Sequence, residues 1–118
     1  MGWLKSKGIT RIVLSLGHRH EAITAYTSVA FPELDIVPCI EDEPLGTGGG
    51  IRLALEQAKS DHPLILNGDT FFDIDIDAMA KLHSGRSAHC TLALKPLRDF
   101  DRYGVVTTDG EGRVTGFQ

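Results

Sequence analysis

The sequence is poor in the features that mark several large classes of protein. It holds no apolar run approaching the roughly 18 residues of a membrane-spanning helix, so no membrane partner is expected. The opening Met1-Gly2-Trp3-Leu4-Lys5-Ser6-Lys7 lacks a long apolar stretch and a cleavage signal, and does not read as a secretory leader. Basic residues are in deficit: 12 Lys and Arg stand against 16 Asp and Glu, for a net charge of −4 with the five histidines neutral. Proteins that grip nucleic-acid phosphates usually carry the opposite balance, so no nucleic acid is expected as partner. A small phosphorylated ligand needs only a few local donors and stays open. Cysteine is scarce too. Cys39 and Cys90 sit in apolar, strand-like contexts without metal-ligand spacing. They read as two buried free thiols in a reducing, cytoplasmic setting.

What remains is an ordinary globular composition. Of 118 residues, 42% are hydrophobic and 24% charged, which excludes disorder for most of the length and suits one domain with one core. Strand-like and helix-like segments alternate. Arg11-Ile12-Val13-Leu14-Ser15-Leu16 reads as a buried strand ending at Gly17. A helix is expected from His20 to Ala30, stopped at Phe31-Pro32 because the residue before proline disfavours the α region. Leu34 to Ile40 is a second strand. A helix through Ile51 to Ala58 starts within or just after a glycine run. Pro63-Leu64-Ile65-Leu66, wholly apolar, reads as a central strand. Asp77 can cap a helix through Met79, Ala80 and Leu82, and Ala88 to Leu94 is another strand. Tyr103 to Thr108 and Arg113 to Phe117 flank Asp109-Gly110-Glu111-Gly112, a hairpin signal. This order implies an α/β fold with a mostly parallel sheet and helices on both faces, a three-layer α/β/α arrangement of Rossmann-like type.

The densest signal is Glu41-Asp42-Glu43-Pro44-Leu45-Gly46-Thr47-Gly48-Gly49-Gly50. Glycines remove side chains where something approaches the backbone closely, and the start of the following helix offers unpaired N–H groups. Together they suit a phosphate or a flat base edge. No Lys-Ser/Thr pair follows, so this is not a Walker loop, and the G-x-G-x-x-G spacing fails as well. A plain flexible loop ahead of a helix fits the composition equally well.

Ligands of open α/β sheets bind beyond the carboxyl ends of the strands, where Asn67-Gly68-Asp69 lies. Asp69 there suits Mg²⁺, which takes one or two carboxylates plus substrate phosphates. A turn aspartate bonded to its own backbone is the other reading. Asp73, Asp75 and Asp77 alternate with isoleucines and read as a solvated edge with a helix cap. The histidines form no metal-type pair, although His18 and His20 flank Arg19 after a strand end.

Pro44-Leu45-Gly46-Thr47-Gly48-Gly49, followed by Leu66-Asn67-Gly68-Asp69, resembles the sugar-1-phosphate nucleotidyltransferases. Gly8-Ile9-Thr10-Arg11-Ile12-Val13-Leu14-Ser15 and Phe100-Asp101-Arg102-Tyr103-Gly104-Val105-Val106 are similar to the guanylyltransferase branch acting on D-glycero-α-D-manno-heptose 1-phosphate. The resemblance covers nearly the whole chain. It implies attack of a sugar 1-phosphate oxygen on the α-phosphorus of a nucleoside triphosphate, GTP by branch, with loss of pyrophosphate. It implies that Leu45, Gly46, Thr47, Gly48 and Gly49 line the base pocket, that Asp69 holds Mg²⁺, and that Tyr103 and Gly104 face the sugar.

The same family opens with a strand and a second glycine loop, G-G-x-G-T-R, followed by a Pro-Lys pair. Nothing in these 118 residues matches it. The resemblance therefore implies a truncated, middle portion of such an enzyme, inactive alone. No basic cluster stands in for the missing arginine and lysine, Lys95 and Arg98 being near the sugar-side segment only in sequence. The usual first strand would lie between the Arg11–Leu16 strand and the Leu64–Leu66 strand. Without it, either those strands pair directly or a second copy covers the gap in a homodimer. A non-catalytic binding module of doubly wound type is the alternative. A response-regulator-like module would need an acidic pocket near the first strand, where Gly17-His18-Arg19 stands instead.

Overall fold

A computed structural model describes residues 1–98 and 104–118. They fall into two compact units, Met1–Phe71 and Phe72–Gln118.

The first unit begins with helix α1 (Gly2–Ser6). It ends in a Schellman motif: Gly8, at φ +81°, donates to the Lys5 carbonyl at 3.0 Å and Ile9 to the Leu4 carbonyl at 3.2 Å. Strand β1 (Arg11–Leu16), helix α2 (His20–Ala30) and strand β2 (Asp35–Ile40) then form a βαβ unit. The strands pair in parallel from Arg11 opposite Asp35 to Leu16 opposite Ile40. Arg11 staples this edge, pairing with Asp35 and donating to the Gln57 carbonyl at 3.0 Å. α2 stops at Phe31, before Pro32, as the sequence predicts.

Helix α3 (Gly46–Leu55) packs on β1, and α2 packs on β2. Leu14, Ile36 and Pro38 share a cavity of about 220 Å³ with Thr24 and Thr27 of α2. Ser15, the next residue along β1, approaches Gly50 of α3. Side-chain alternation along a strand thus divides β1 between the two helices. The core is thin. Leu16, Leu34 and Cys39 are its buried apolar residues. Thr27 is buried as well, its hydroxyl donating to the Thr24 carbonyl at 3.2 Å. Burial raises the Cys39 thiol above its ordinary value, and the Glu41 and Glu56 carboxylates add to the effect.

The second unit holds helix α4 (Ile76–Gly85) and the antiparallel strands β3 (Val106–Thr108) and β4 (Val114–Phe117). The predicted hairpin is present. Val105 and Gln118 exchange backbone bonds of 2.9 Å beyond the strands. Asp109 accepts from the Glu111 N–H at 3.0 Å and the Arg113 N–H at 2.8 Å, closing the turn. α4 is capped by Asp75, not by Asp77: Asp75 Oδ1 accepts from the Ala78 N–H at 2.9 Å. Asp77 falls instead within the first turn, where its charge suits the helix dipole.

Two predicted strands are absent among the described residues. The runs 63–66 and 88–94 join no ladder. A strand exists only with a partner to pair its backbone, and neither run has one there. Ile65 is consequently 53% exposed and Leu66 43%. Cys90 is exposed for the same reason, against the expectation of a buried thiol, and it is unbonded, as is Cys39. The sheet content described is one parallel pair and one antiparallel pair rather than a mostly parallel sheet. Direct pairing of β1 with the run 63–66 does not form. No helix among the described residues is long and apolar enough to cross a membrane.

Candidate functional site

The glycine run folds as the first turns of α3 rather than as a separate loop. Leu45 is its N-cap residue, in the right-handed region, and no side chain of its own caps the helix. The early N–H groups of α3 therefore have no such partner. The glycines do different things. Gly46 adopts φ +70°, a backbone region that L side chains rarely occupy. Gly49 is crowded, because a Cβ there would lie 2.6 Å from Leu45 Cβ. Gly50 is buried, and a Cβ there would collide with the Glu41 carboxylate. Gly48 faces open space. Close packing thus accounts for Gly49 and Gly50, while Gly48 leaves the helix start bare toward solvent.

Sequence reasoning missed Glu41. It follows β2 directly and accepts from Ser15 Oγ at 3.1 Å and from the Leu45 N–H at 3.1 Å. A carboxylate four residues before the N-cap residue Leu45 is visible in the sequence, but its partner Ser15 lies 26 positions away.

Beyond the carboxyl ends of β1 and β2 lies a cavity of about 520 Å³. It is lined by the turn after β1 (Gly17, His18 and Arg19), the start of α2, and Glu41, Asp42 and Pro44. This is where the parallel-strand rule puts a ligand. Arg19 enters α2 at φ 63°, a left-handed conformation uncommon for a non-glycine residue.

Asp69 stands in an exposed bend and makes no hydrogen bond or ion pair among the described residues. The alternative of a bond to its own backbone is not realised there. Close by in sequence, Phe71 meets Trp3 edge to face, with centroids 5.4 Å apart and planes at 82°. No cluster of three or more His, Cys, Asp or Glu that could hold a metal occurs among the described residues. A single free carboxylate still fits Mg²⁺, since the remaining ligands of that ion are commonly phosphate oxygens and waters. Gly104 is exposed beside the hairpin, and Tyr103 lies outside the described residues. The structure thus brings Leu45, Gly46, Thr47, Gly48 and Gly49 together at one helix start. It shows no bond between them and Asp69.

A model of the nucleotidyl transferase family matches residues 1–118. The chain belongs to this family. It is 40% identical over 116 residues to a D-glycero-α-D-manno-heptose 1-phosphate guanylyltransferase of Aneurinibacillus thermoaerophilus, covering 98% of this chain and 50% of that protein. It is 43% identical to the protein of the same name from Campylobacter jejuni, with the same coverage. A mannose-1-phosphate guanylyltransferase of Mycobacterium tuberculosis is 30% identical over 97% of this chain and 32% of its own length. This nucleotidyl transferase chain thus spans about half the length of the two heptose-phosphate relatives. No solved structure matches it significantly.

Proposed function

We propose that this chain is the nucleotide-side portion of a sugar-1-phosphate guanylyltransferase, with GTP and a heptose or mannose 1-phosphate as substrates. The observation that carries the reading is the uncapped, glycine-built start of α3, in a chain similar over 98% of its length to two guanylyltransferases. In this reading Leu45, Gly46, Thr47, Gly48 and Gly49 present backbone to the base, because no side chain at Gly48 bars its approach. Asp69 would be the residue to hold Mg²⁺, and Tyr103 and Gly104 would face the sugar. Bound Mg²⁺ would neutralise charge on the triphosphate as the α-phosphorus is attacked and pyrophosphate leaves. The chain's own contribution is to hold the base and aim a carboxylate at the phosphate side.

The 118 residues contain no G-G-x-G-T-R segment and no basic cluster in its place. Phosphoryl transfer depends on such charge, so the chain by itself is proposed to bind nucleotide without turning it over. The test is incubation with GTP, Mg²⁺ and mannose or heptose 1-phosphate, following pyrophosphate. None is expected. Release abolished by Asp69→Asn would overturn the inactivity while supporting Asp69 as the metal ligand.

The chain is further proposed to form one cytoplasmic domain of three-layer, Rossmann-like type that lacks the usual first strand. Its β1 pairs on one edge only among the described residues, and Ile65 and Leu66 are left in solvent. A second copy covering that edge in a homodimer follows from the tendency of open apolar edges to seek partners. Sedimentation equilibrium at micromolar concentration is expected to give a dimer. A compact monomer would refute it.

A further inference from the structure

We propose that Glu41 is a positioning residue that fixes the start of α3 on the end of β1 and so sets where a nucleotide can sit; this rests on the reading of the glycine run as the nucleotide-binding segment. One carboxylate joins three elements. Glu41 follows β2, its Oε1 accepts from Ser15 on β1, and its Oε2 accepts from the Leu45 N–H at the entry to α3, both at 3.1 Å. Gly50 makes room for it. A Cβ at Gly50 would strike Glu41 Oε1 and stand 3.1 Å from Ser15 Oγ. A side chain at Gly50 would push the Glu41 carboxylate aside, so the glycine leaves that carboxylate free to reach both of its partners.

The arrangement also divides the donors of the helix start. Leu45 offers no side-chain cap, and Glu41 supplies the acceptor from four positions upstream. The Leu45 N–H is consumed inside the protein, and the N–H groups of residues 46–48 are left for a ligand. The carboxylate acts through its geometry. A glutamine can reproduce it, with Oε1 accepting from Leu45 and Nε2 donating to Ser15 Oγ. An alanine cannot.

The test measures GTP affinity of the 118-residue chain by calorimetry and amide exchange by NMR in Glu41→Ala, Glu41→Gln and Gly50→Ala. Glu41→Ala and Gly50→Ala are expected to weaken GTP binding about tenfold or more, the loss of a charge-assisted bond. They speed exchange at Leu45 while the β1–β2 ladder amides stay protected. Glu41→Gln is expected to restore both affinity and Leu45 protection. Should Glu41→Ala lose the ladder protection, Glu41→Asp, one methylene too short for both bonds, takes its place with the same expectation. Unchanged Leu45 exchange, or GTP binding that survives Glu41→Ala, overturns the role of Glu41 alone. A wild-type chain that binds no GTP overturns the nucleotide reading and the role of Glu41 in binding with it.

Discussion

Gly48 and Gly49 are neighbours in one helix, yet alanine should act on them in opposite directions. At Gly48 a Cβ meets nothing within 4 Å, and φ is not in the left-handed region. Alanine there removes the backbone-entropy cost of glycine in a helix and is expected to stabilise by about 0.5 kcal/mol. At Gly49 the same gain is opposed by a clash 2.6 Å from Leu45 Cβ. That atom is fixed by the backbone and cannot swing aside, so the overpacking cost of about 1–3 kcal/mol wins, leaving a net loss of about 1 kcal/mol. The two variants should therefore differ by about 1.5 kcal/mol in urea denaturation followed by circular dichroism. Binding should not follow stability. If the bare face at Gly48 is where the base lies, Gly48→Ala is the more stable protein and the weaker GTP binder, by about tenfold in a calorimetric titration. Equal destabilisation by both alanines would refute the steric argument. A stabilised Gly48→Ala with unaltered GTP affinity would refute the assignment of that face to the ligand.

Two further expectations concern the second unit. Asp75→Ala removes the acceptor for the Ala78 N–H and should cost about 1 kcal/mol in chemical denaturation; Asp77→Ala should cost less, and the reverse order would return the cap to Asp77. Backbone N–H bonds, Arg113 first and Glu111 also, hold the Asp109 carboxyl below the ordinary aspartate range. A lowered carboxyl contributes stability above its unfolded pKa that is lost as pH falls through its folded pKa, so the hairpin turn should loosen only below the usual aspartate range. Amide exchange at Glu111 and Arg113 that already quickens above that range would contradict the assignment.

The elements legible in the sequence are those whose signals are local. β1 and β2 stand out as β-branched runs, and α2 is closed by Phe31-Pro32, whose restriction acts within two residues. The hairpin is announced by Asp109-Gly110. The run 63–66 looks no different from a central strand, but a strand is defined by what pairs with it, and that is not written in the run. Asp73, Asp75 and Asp77 all have the chemistry of a cap, and only the helix phase, which the sequence does not display, selects Asp75. At the candidate site, the glycines were visible and the reasons for each were not. Composition treats Gly48 and Gly50 alike; the fold opens one to solvent and presses the other against a carboxylate contributed from another element.

The differing surroundings of the two cysteines turn the chain into its own chemical clock. Cys39 is covered within β2 and its thiol is held protonated by burial and two nearby carboxylates, whereas Cys90 stands in solvent. An alkylating reagent meets Cys90 at once and must wait for the βαβ unit to part before it meets Cys39. The interval between the two modifications times the opening of the layer on which the glycine helix rests.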